Sequence, residues 1–454
     1  MDENLAPGAL AGQMAPTGAL QHAYVQNEPA VSLPPPASMV GVIGWLRANL
    51  LSSPGNIALT IIAALIAFWL IPGFIKFLIT DAVWSGADRE ACITKNGITP
   101  GACWAFVRDR YSFFIYGFYP FDQRWRVDLF FVLGALGVTW MLWLGAPRRD
   151  IGLFYFIIAL PLVSYGLLSG NNPFGFVSFA PQWLKATACL LVFLFAYLMN
   201  QSDDSKGALG FMTLFGFIIS GVLLAENAWS LLKLSPVETS KWGGLMVTLV
   251  VAGVGIVASL PLGILLALGR RSKLPVVKFF SVMFIEFVRG VPLITVLFMA
   301  NTMLPLFMPD GWHVDKLLRA LVGIGLFASA YMAEVVRAGL QALPKGQYEG
   351  AMAVGLGYWQ MMRLIILPQA LKVTIPNIVN TYIGLFKDTS LLLIVGIFDF
   401  LKAIETARID PQWAAPTTSP TGYAFAAIVY FIFCYGMASY ARATERRLSV
   451  ADKR

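Results

Sequence analysis

The sequence predicts an all-α membrane protein with about ten spanning helices, and three observations carry that expectation. First, 57 % of the 454 residues are hydrophobic and only 13 % are charged, with a mean hydropathy of +0.69. A soluble domain carries about 25 % charged residues, so this chain lacks the polar surface of a water-exposed fold. Second, the apolar residues come in long blocks without the period-2 alternation of an outer-membrane barrel, which leaves helices as the spanning element. Third, the basic residues behind the net charge of +8 sit in short loops between those blocks. That is the positive-inside pattern, and it points to a lipid bilayer rather than a nucleic-acid partner. Two histidines and four scattered cysteines leave little material for a metal site. No phosphate-binding loop of the Gly-x-x-x-x-Gly-Lys-Ser/Thr kind occurs, so nucleotide hydrolysis by that route is not expected of this chain.

Taken in order, residues 1–45 are rich in Ala, Pro and Gly and are expected to form a disordered tail. No apolar block follows the first Met, so no cleavable leader is expected. Blocks of roughly 20 apolar residues then fall at 57–79, 128–146, 151–169, 183–200, 208–227, 243–268, 278–304, 318–340, 375–398 and 421–440. The aromatic block 111–120 is too short to span and reads as interfacial. The organisation divides near residue 235. An N-terminal extension (46–235) holds five candidate spans and few polar residues, and a core (236–445) holds nearly all the informative ones, before a short tail over 446–454.

Lys and Arg set the sidedness. Arg270, Arg271 and Lys273, then Lys345, Arg363 and Lys372, then Arg442, Arg446, Arg447, Lys453 and Arg454 mark cytoplasmic stretches, which puts both termini inside and agrees with Arg148 and Arg149. The segment 81–127 balances Arg89, Lys95, Arg108, Arg110, Arg124 and Arg126 against acidic residues, and balanced loops of this length translocate readily. It is expected outside. There Cys92 and Cys103 either form a disulfide in an oxidising periplasm or remain two unpaired small residues. Cys189 and Cys434 lie in apolar blocks and read as packing residues.

The long stretch 341–372 is the strongest signal. Glu349, Ala351, Gly355, Ile365, Leu367 and Pro368 fit the spacing E-x-A-x3-G-x9-I-x-L-P. Physically this is a short helix, a glycine permitting a sharp turn, and a second amphipathic segment stopped by proline. Such a pair can lie on the membrane and present a firm knob to a cytoplasmic partner. The pattern resembles the EAA loop of ABC importer permeases, with Gly350 departing from the usual alanine of the triplet. Phe287-Val288-Arg289-Gly290-Val291-Pro292-Leu293 is similar to that family's F-x-R-G-T-P-L segment, with Val291 in place of Thr. Ala330-Tyr331 through Glu334, Arg337 and Gly339 is similar to its third core helix. Leu385-Phe386-Lys387-Asp388-Thr389-Ser390-Leu391 resembles the L-K-D-T-S-L segment of polar amino-acid permeases. In the first half, Gly101-Ala102-Cys103-Trp104, Gly117-Phe118-Tyr119-Pro120 and Trp125-Arg126 resemble the enlarged outer loop of long proteobacterial general L-amino-acid permeases. The resemblance implies a type I importer core in the last five helices, in a bacterial inner membrane. It implies a second, homologous permease chain and a periplasmic amino-acid-binding protein. It also implies two ATP-binding subunits that carry ATP and magnesium, with no cofactor on this chain. Glu349, Ala351, Gly355, Leu367 and Pro368 would couple the permease to those subunits.

Charges at membrane depth are functional hypotheses by default. At ~1.5 Å rise per residue, Arg289 lies roughly 15 Å and Lys387–Asp388 roughly 18 Å in from the cytoplasmic starts of their blocks, near the middle of a ~30 Å core. Gly290 and Pro292 can interrupt the helix there, and transporters commonly place substrates at broken helices. An amino acid offers a carboxylate, which wants a cation, and an ammonium, which wants a carboxylate or carbonyls. Arg289, Gly290, Pro292, Lys387, Asp388, Thr389 and Ser390 are therefore the candidate substrate contacts. Alternatively, Arg289 and Asp388 pair with each other and lock two helices together. Glu286 with Arg289, and Glu334 with Arg337, have the three-residue spacing of intrahelical pairs. Members that take basic amino acids often carry a glutamate where this chain has Thr381, after Asn380, so broad or acidic/neutral L-amino-acid specificity fits better. Two other functions stand beside this one: an accessory permease chain without its own substrate site, and a secondary transporter, which would need no docking loop and often shows inverted repeats. A membrane enzyme would want paired acid–base or metal groups, which His22 and His313 do not supply.

Overall fold

The computed structural model describes residues 41–93, 100–143, 152, 155–171, 234–309 and 314–451. The expected helices at 183–200 and 208–227, the tail before residue 41, and Lys95, Arg148, Arg149, Cys189, His22 and His313 lie outside the described residues. Six helical stretches among the described residues are long and apolar enough to cross a membrane, and a bent pair makes a seventh.

The chain forms two compact units, divided between Lys76 and Phe77. In the first, α1 (Gly41–Asn49) and α2 (Pro54–Ile75) are joined by a short turn. The expected tail over 1–45 thus gives way to a helix at Gly41. Ser53 caps α2, its hydroxyl accepting from the Asn56 amide at 3.2 Å, and Pro54 fits the first turn, where its missing N–H costs nothing. No residue of α2 is buried, as suits an apolar span whose solvent is lipid.

The second unit begins at Phe77 and includes described residues on both sides of residue 235. Its α-helices among the described residues are α3 (Trp104–Tyr116), α4 (Trp125–Leu142), α5 (Leu160–Ser169), α6 (Gly244–Arg270), α7 (Pro275–Gly290), α8 (Leu293–Phe298), α9 (Lys316–Ala342), α10 (Lys345–Ala353), α11 (Tyr358–Met361), α12 (Leu367–Asp388), α13 (Phe400–Ala407) and α14 (Thr418–Ala451). The aromatic block expected over 111–120 belongs to α3, which starts earlier and stops at Gly117, where φ is +60°.

α6 and α9 form the centre, flanked by α7 and α12. Small residues let them approach closely: a Cβ on Gly263 would meet Met332 at 2.7 Å, and one on Gly339 would meet the Ala370 carbonyl at 2.6 Å. Two apolar clusters divide this bundle end to end. One gathers Met246, Val247, Leu293, Leu297, Ile324, Leu385 and Leu392, and the other Leu268, Ile285, Met332, Val336, Ala351, Met361 and Ile366.

Two expected spans depart from a single regular helix. The block 278–304 is not one helix: α7 ends at Gly290, Val291 is extended, and the chain restarts at Leu293 after bending by 104°. Val291–Pro292 breaks the ladder because proline has no N–H and drives its predecessor out of the helical region. The block 375–398 is not broken in this way but changes pitch. α12 runs only to Asp388 and continues as a 3-10 turn over Thr389–Val395, closed by Gly396 at φ +71°.

A third cluster binds the extension to the core. Phe106, Phe114 and the Cys92–Cys103 pair pack with Phe400, Ile404 and Trp413. The Cys103 amide donates to the Thr421 hydroxyl (2.8 Å), the Thr417 hydroxyl to the Cys92 carbonyl (3.1 Å), and the Trp413 indole to the Asp109 carboxylate (2.8 Å). Gly244, at the start of α6, sits against the Phe114 and Ile115 carbonyls, while Arg271, just past the other end, reaches α10. The segment 81–127 and the 345–366 loop therefore occupy opposite ends of α6.

Candidate functional site

The 345–366 loop is built as a capped helix and a turn. α10 ends in a Schellman motif: the Leu356 amide donates to the Ala351 carbonyl (3.2 Å) and the Gly355 amide to Met352 (2.9 Å). Gly355 has φ +79°, which L side chains avoid. Leu356 and Ala351 close the motif by packing into the same cluster. A second short helix follows at once: the Gln360 side chain accepts from the Gly357 amide at 3.1 Å, then Met362–Ile366 form a π turn into α12, where Pro368 occupies the first turn. Of the expected coupling residues, Ala351 is buried, Leu367 is half-buried, and Glu349, Gly355 and Pro368 are exposed. Around Glu349 the outer face presents Met352, Val354, Tyr358, Trp359 and Leu364.

Tyr348 anchors this knob, and sequence reasoning passed over it although it sits inside the motif. Its hydroxyl donates to the Leu340 carbonyl (3.0 Å), while Arg271 donates to that hydroxyl (3.0 Å) and lies over the ring. Gln369 of α12 donates to Gln347 (3.0 Å). A pocket of 150 Å³ beside this anchor is lined by Leu268, Arg271, Tyr348, Tyr358, Met361 and Met362.

The broken helix and the one that tightens meet. α8 packs against the 3-10 turn Thr389–Val395, and Leu293, Leu385 and Leu392 share one cluster with Val288 and Leu391 against it. The break at Gly290–Pro292 and the segment 387–390 are thus joined through one apolar cluster. Lys387 is exposed and Asp388 half-buried, and neither forms an ion pair with a described residue. Thr389 and Ser390 turn their hydroxyls back onto the Phe386 and Lys387 carbonyls, both at 2.8 Å. Thr381 does the same to Asn377 (2.9 Å).

Arg289 does not pair with Asp388 among the described residues; its nearest carboxylate is Glu334, at 3.8 Å. Nor does Glu286 pair with Arg289. It accepts from Arg270 (2.7 Å), which reaches Glu334 as well (2.8 Å). The expected Glu334–Arg337 pair is present, with contacts of 2.7 and 2.9 Å. Glu334 therefore gathers arginines from α6, α7 and α9. For Glu334 the sequence offered only the same-helix partner Arg337, because spacing reveals neighbours on one helix and not across three.

At the other end of the bundle, Cys92 and Cys103 are disulfide-bonded with their Cα atoms 5.7 Å apart. Asp399, fully buried, caps α13 by accepting from the Leu401 and Lys402 amides, both at 3.1 Å. Burial pushes its carboxyl up to about 7 even against those two N–H groups. Nearby, Arg126 is buried without a carboxylate partner among the described residues. It donates to the Ser235 carbonyl (2.9 Å), beside Gly170 at the C-terminal end of α5, where the helix dipole favours a cation.

Residues 259–450 match the family described as "Binding-protein-dependent transport system inner membrane component". The inner membrane amino-acid ABC transporter permease protein YhdY of Escherichia coli is 44 % identical over 405 residues, 89 % of this chain and 92 % of that protein. The glutamate/glutamine/aspartate/asparagine transport system permease protein BztC of Rhodobacter capsulatus is 42 % identical over 435 residues, 94 % of this chain and 98 % of that protein. The glutamate/aspartate import permease protein GltK of Escherichia coli is 32 % identical over 194 residues, 42 % of this chain and 84 % of that protein.

Proposed function

This chain belongs to the inner-membrane permeases of amino-acid ABC transporters, and from that premise we propose that it moves L-amino acids with acidic or amide side chains inward. The packing of the broken helix against the turn into which α12 tightens carries this reading: Arg289 stands beside the break, and Lys387 and Asp388 beside that turn. Arg289 and Lys387 supply cations for carboxylates, Asp388 an acceptor for the ammonium, and the break at Gly290–Pro292 frees backbone groups. Thr381, bonded to its own helix, leaves no carboxylate there for a cationic side chain. The glutamate, glutamine, aspartate and asparagine that name the BztC system support the acidic and amide class.

The knob formed by α10, the Gly355 turn and α11 is the face for an ATP-binding subunit. Two such subunits bind ATP and magnesium and hydrolyse the nucleotide, a second permease chain completes the channel, and a periplasmic binding protein delivers the substrate. The segment 81–127 then faces the periplasm and the knob the cytoplasm, with both termini inside; the opposite placement of the two on α6 supports this.

Reconstitution with the cognate subunits in proteoliposomes tests the proposal. ATP-dependent uptake of glutamate and glutamine is expected. Uptake that survives ATP depletion with the membrane potential intact, or that favours lysine and arginine, would overturn it.

A further inference from the structure

Five charged side chains crowd the junction of α6, α7 and α9, and their pairing is unequal. One oxygen of Glu334 lies 2.8 Å from Arg270, and the other lies 2.7 Å from Arg337. Arg270 is held a second time by Glu286 (2.7 Å), and Arg337 donates to Gln341 as well (2.8 Å). These are charge-assisted hydrogen bonds of full strength. Arg289 is left over. It stands 3.8 Å from the Glu334 oxygen already given to Arg337, with its side chain 36 % exposed against 16 % for Glu334. Its other close partner is the Tyr331 ring, 5.7 Å from the guanidinium. The cluster holds three arginines and two glutamates, so one positive charge is unmatched, and geometry places the shortfall on Arg289. This arginine lies in the last turn of α7, just before the bend of 104°.

We propose that Glu334 is a displaceable counter-ion of Arg289. A carboxylate of the transported amino acid takes its place on Arg289 during transport, and Glu334 reclaims the arginine on release. The proposal rests on the reading of Arg289 as a substrate contact. It adds a competing group that touches no substrate, so Glu334 is a positioning residue. Arg270 and Arg337 keep Glu334 itself fixed and desolvation-compensated when Arg289 leaves. A contact of 3.8 Å at a partly exposed site is weak enough for a ligand to break, as pairs of this kind contribute little to stability. The side-chain carboxylate of glutamate and the α-carboxylate shared with glutamine have the same chemistry toward a guanidinium, and comparing the two ligands separates them.

The experiment measures equilibrium binding of radiolabelled glutamate and glutamine to the complete transporter in nanodiscs, without the binding protein. Arg289→Gln should weaken binding. Glu334→Gln, which removes the competitor, should tighten it about five-fold while slowing turnover. The double variant should bind like Arg289→Gln alone, because a competitor has no effect once its cation is gone. A gain confined to glutamate assigns the side-chain carboxylate to Arg289; an equal gain for both assigns the α-carboxylate. If Glu334→Gln does not assemble, Glu334→Asp retains the charge but draws it back from Arg289, and the same tightening is expected at smaller size. Unchanged affinity in an assembled Glu334 variant, with Arg289→Gln still weakening binding, overturns this inference alone. If Arg289→Gln binds normally, the substrate site proposed above fails with it.

Discussion

The Arg271 guanidinium both donates to the Tyr348 hydroxyl, at 3.0 Å, and covers its ring, at 5.5 Å. One side chain just past the end of α6 therefore fixes the knob's first helix in position and in rotation about its axis. Tyr348→Phe keeps the ring contact and removes the hydroxyl that serves both Arg271 and the Leu340 carbonyl. A loss of about 1 kcal/mol of stability is expected, together with weaker co-purification of the ATP-binding subunit. Unaltered thermal stability of the purified complex would contradict the anchoring role.

Gly355 is exposed, and a Cβ there would meet nothing within 4 Å. Any effect of substitution must come from φ, at +79°. Gly355→Ala should cost about 1–2 kcal/mol locally, and Gly355→Val more, because a β-branched residue fits the left-handed region still less well. The expected result is ATP hydrolysis that continues while uptake falls. Hydrolysis and uptake measured together in proteoliposomes check it, and normal uptake with normal assembly would exclude the turn from coupling.

Asp388 forms no ion pair with a described residue, so Asp388→Asn should leave assembly intact. If it meets the substrate ammonium, uptake should fall by about 30-fold or more, the effect of losing one partner of a desolvated charge pair. The measurement is initial uptake rate at fixed binding-protein concentration.

The Cys92–Cys103 bridge is buried in the cluster that holds Phe106 and Trp413. Replacing both cysteines by serine should lower stability by about 2–3 kcal/mol, read as an earlier thermal transition. Mass spectrometry after alkylation without reduction should find neither thiol of the native protein modified.

Burial raises the Asp399 carboxyl to about 7, so the folded state binds its proton more tightly than the unfolded chain. The stabilisation is complete below about pH 4 and is lost as pH rises through 7. Asp399→Asn should flatten that part of the profile, since a neutral amide oxygen still accepts from Leu401 or Lys402. Thermal unfolding of both proteins between pH 5 and 8 checks the difference in slope.

Most of the helices of the core were legible in the sequence because lipid demands long apolar blocks, and α6 and α9 end within a few residues of the expected limits. The knob was legible because its turn needs glycine; the expected stop at proline is not there, since the chain runs on helically and Pro368 sits in the first turn of α12. What spacing could not reveal was the geometry across helices. Val291–Pro292 warns of a break but not of its 104°, and the end of α12 at Asp388 has no proline or glycine beside it. Glu334 was visible as a partner of Arg337, three residues on; its hold on Arg270 depends on the packing of α6 against α9. Asp399 reads locally as an ordinary N-cap of α13, and its burial has no local mark because it depends on tertiary packing.

The bond from Cys103 to Thr421 spans 318 positions, and this has a consequence for biogenesis. Translation makes the bridged segment early and its apolar partners last. Until α13 and α14 are in place, Phe106 and Phe114 lack the Phe400, Trp413 and Phe425 side chains that cover them. A nascent or truncated chain ending before residue 399 would present that uncovered patch to proteases and chaperones, whereas the finished chain hides it. Completion of synthesis is thereby written into the surface that quality control inspects.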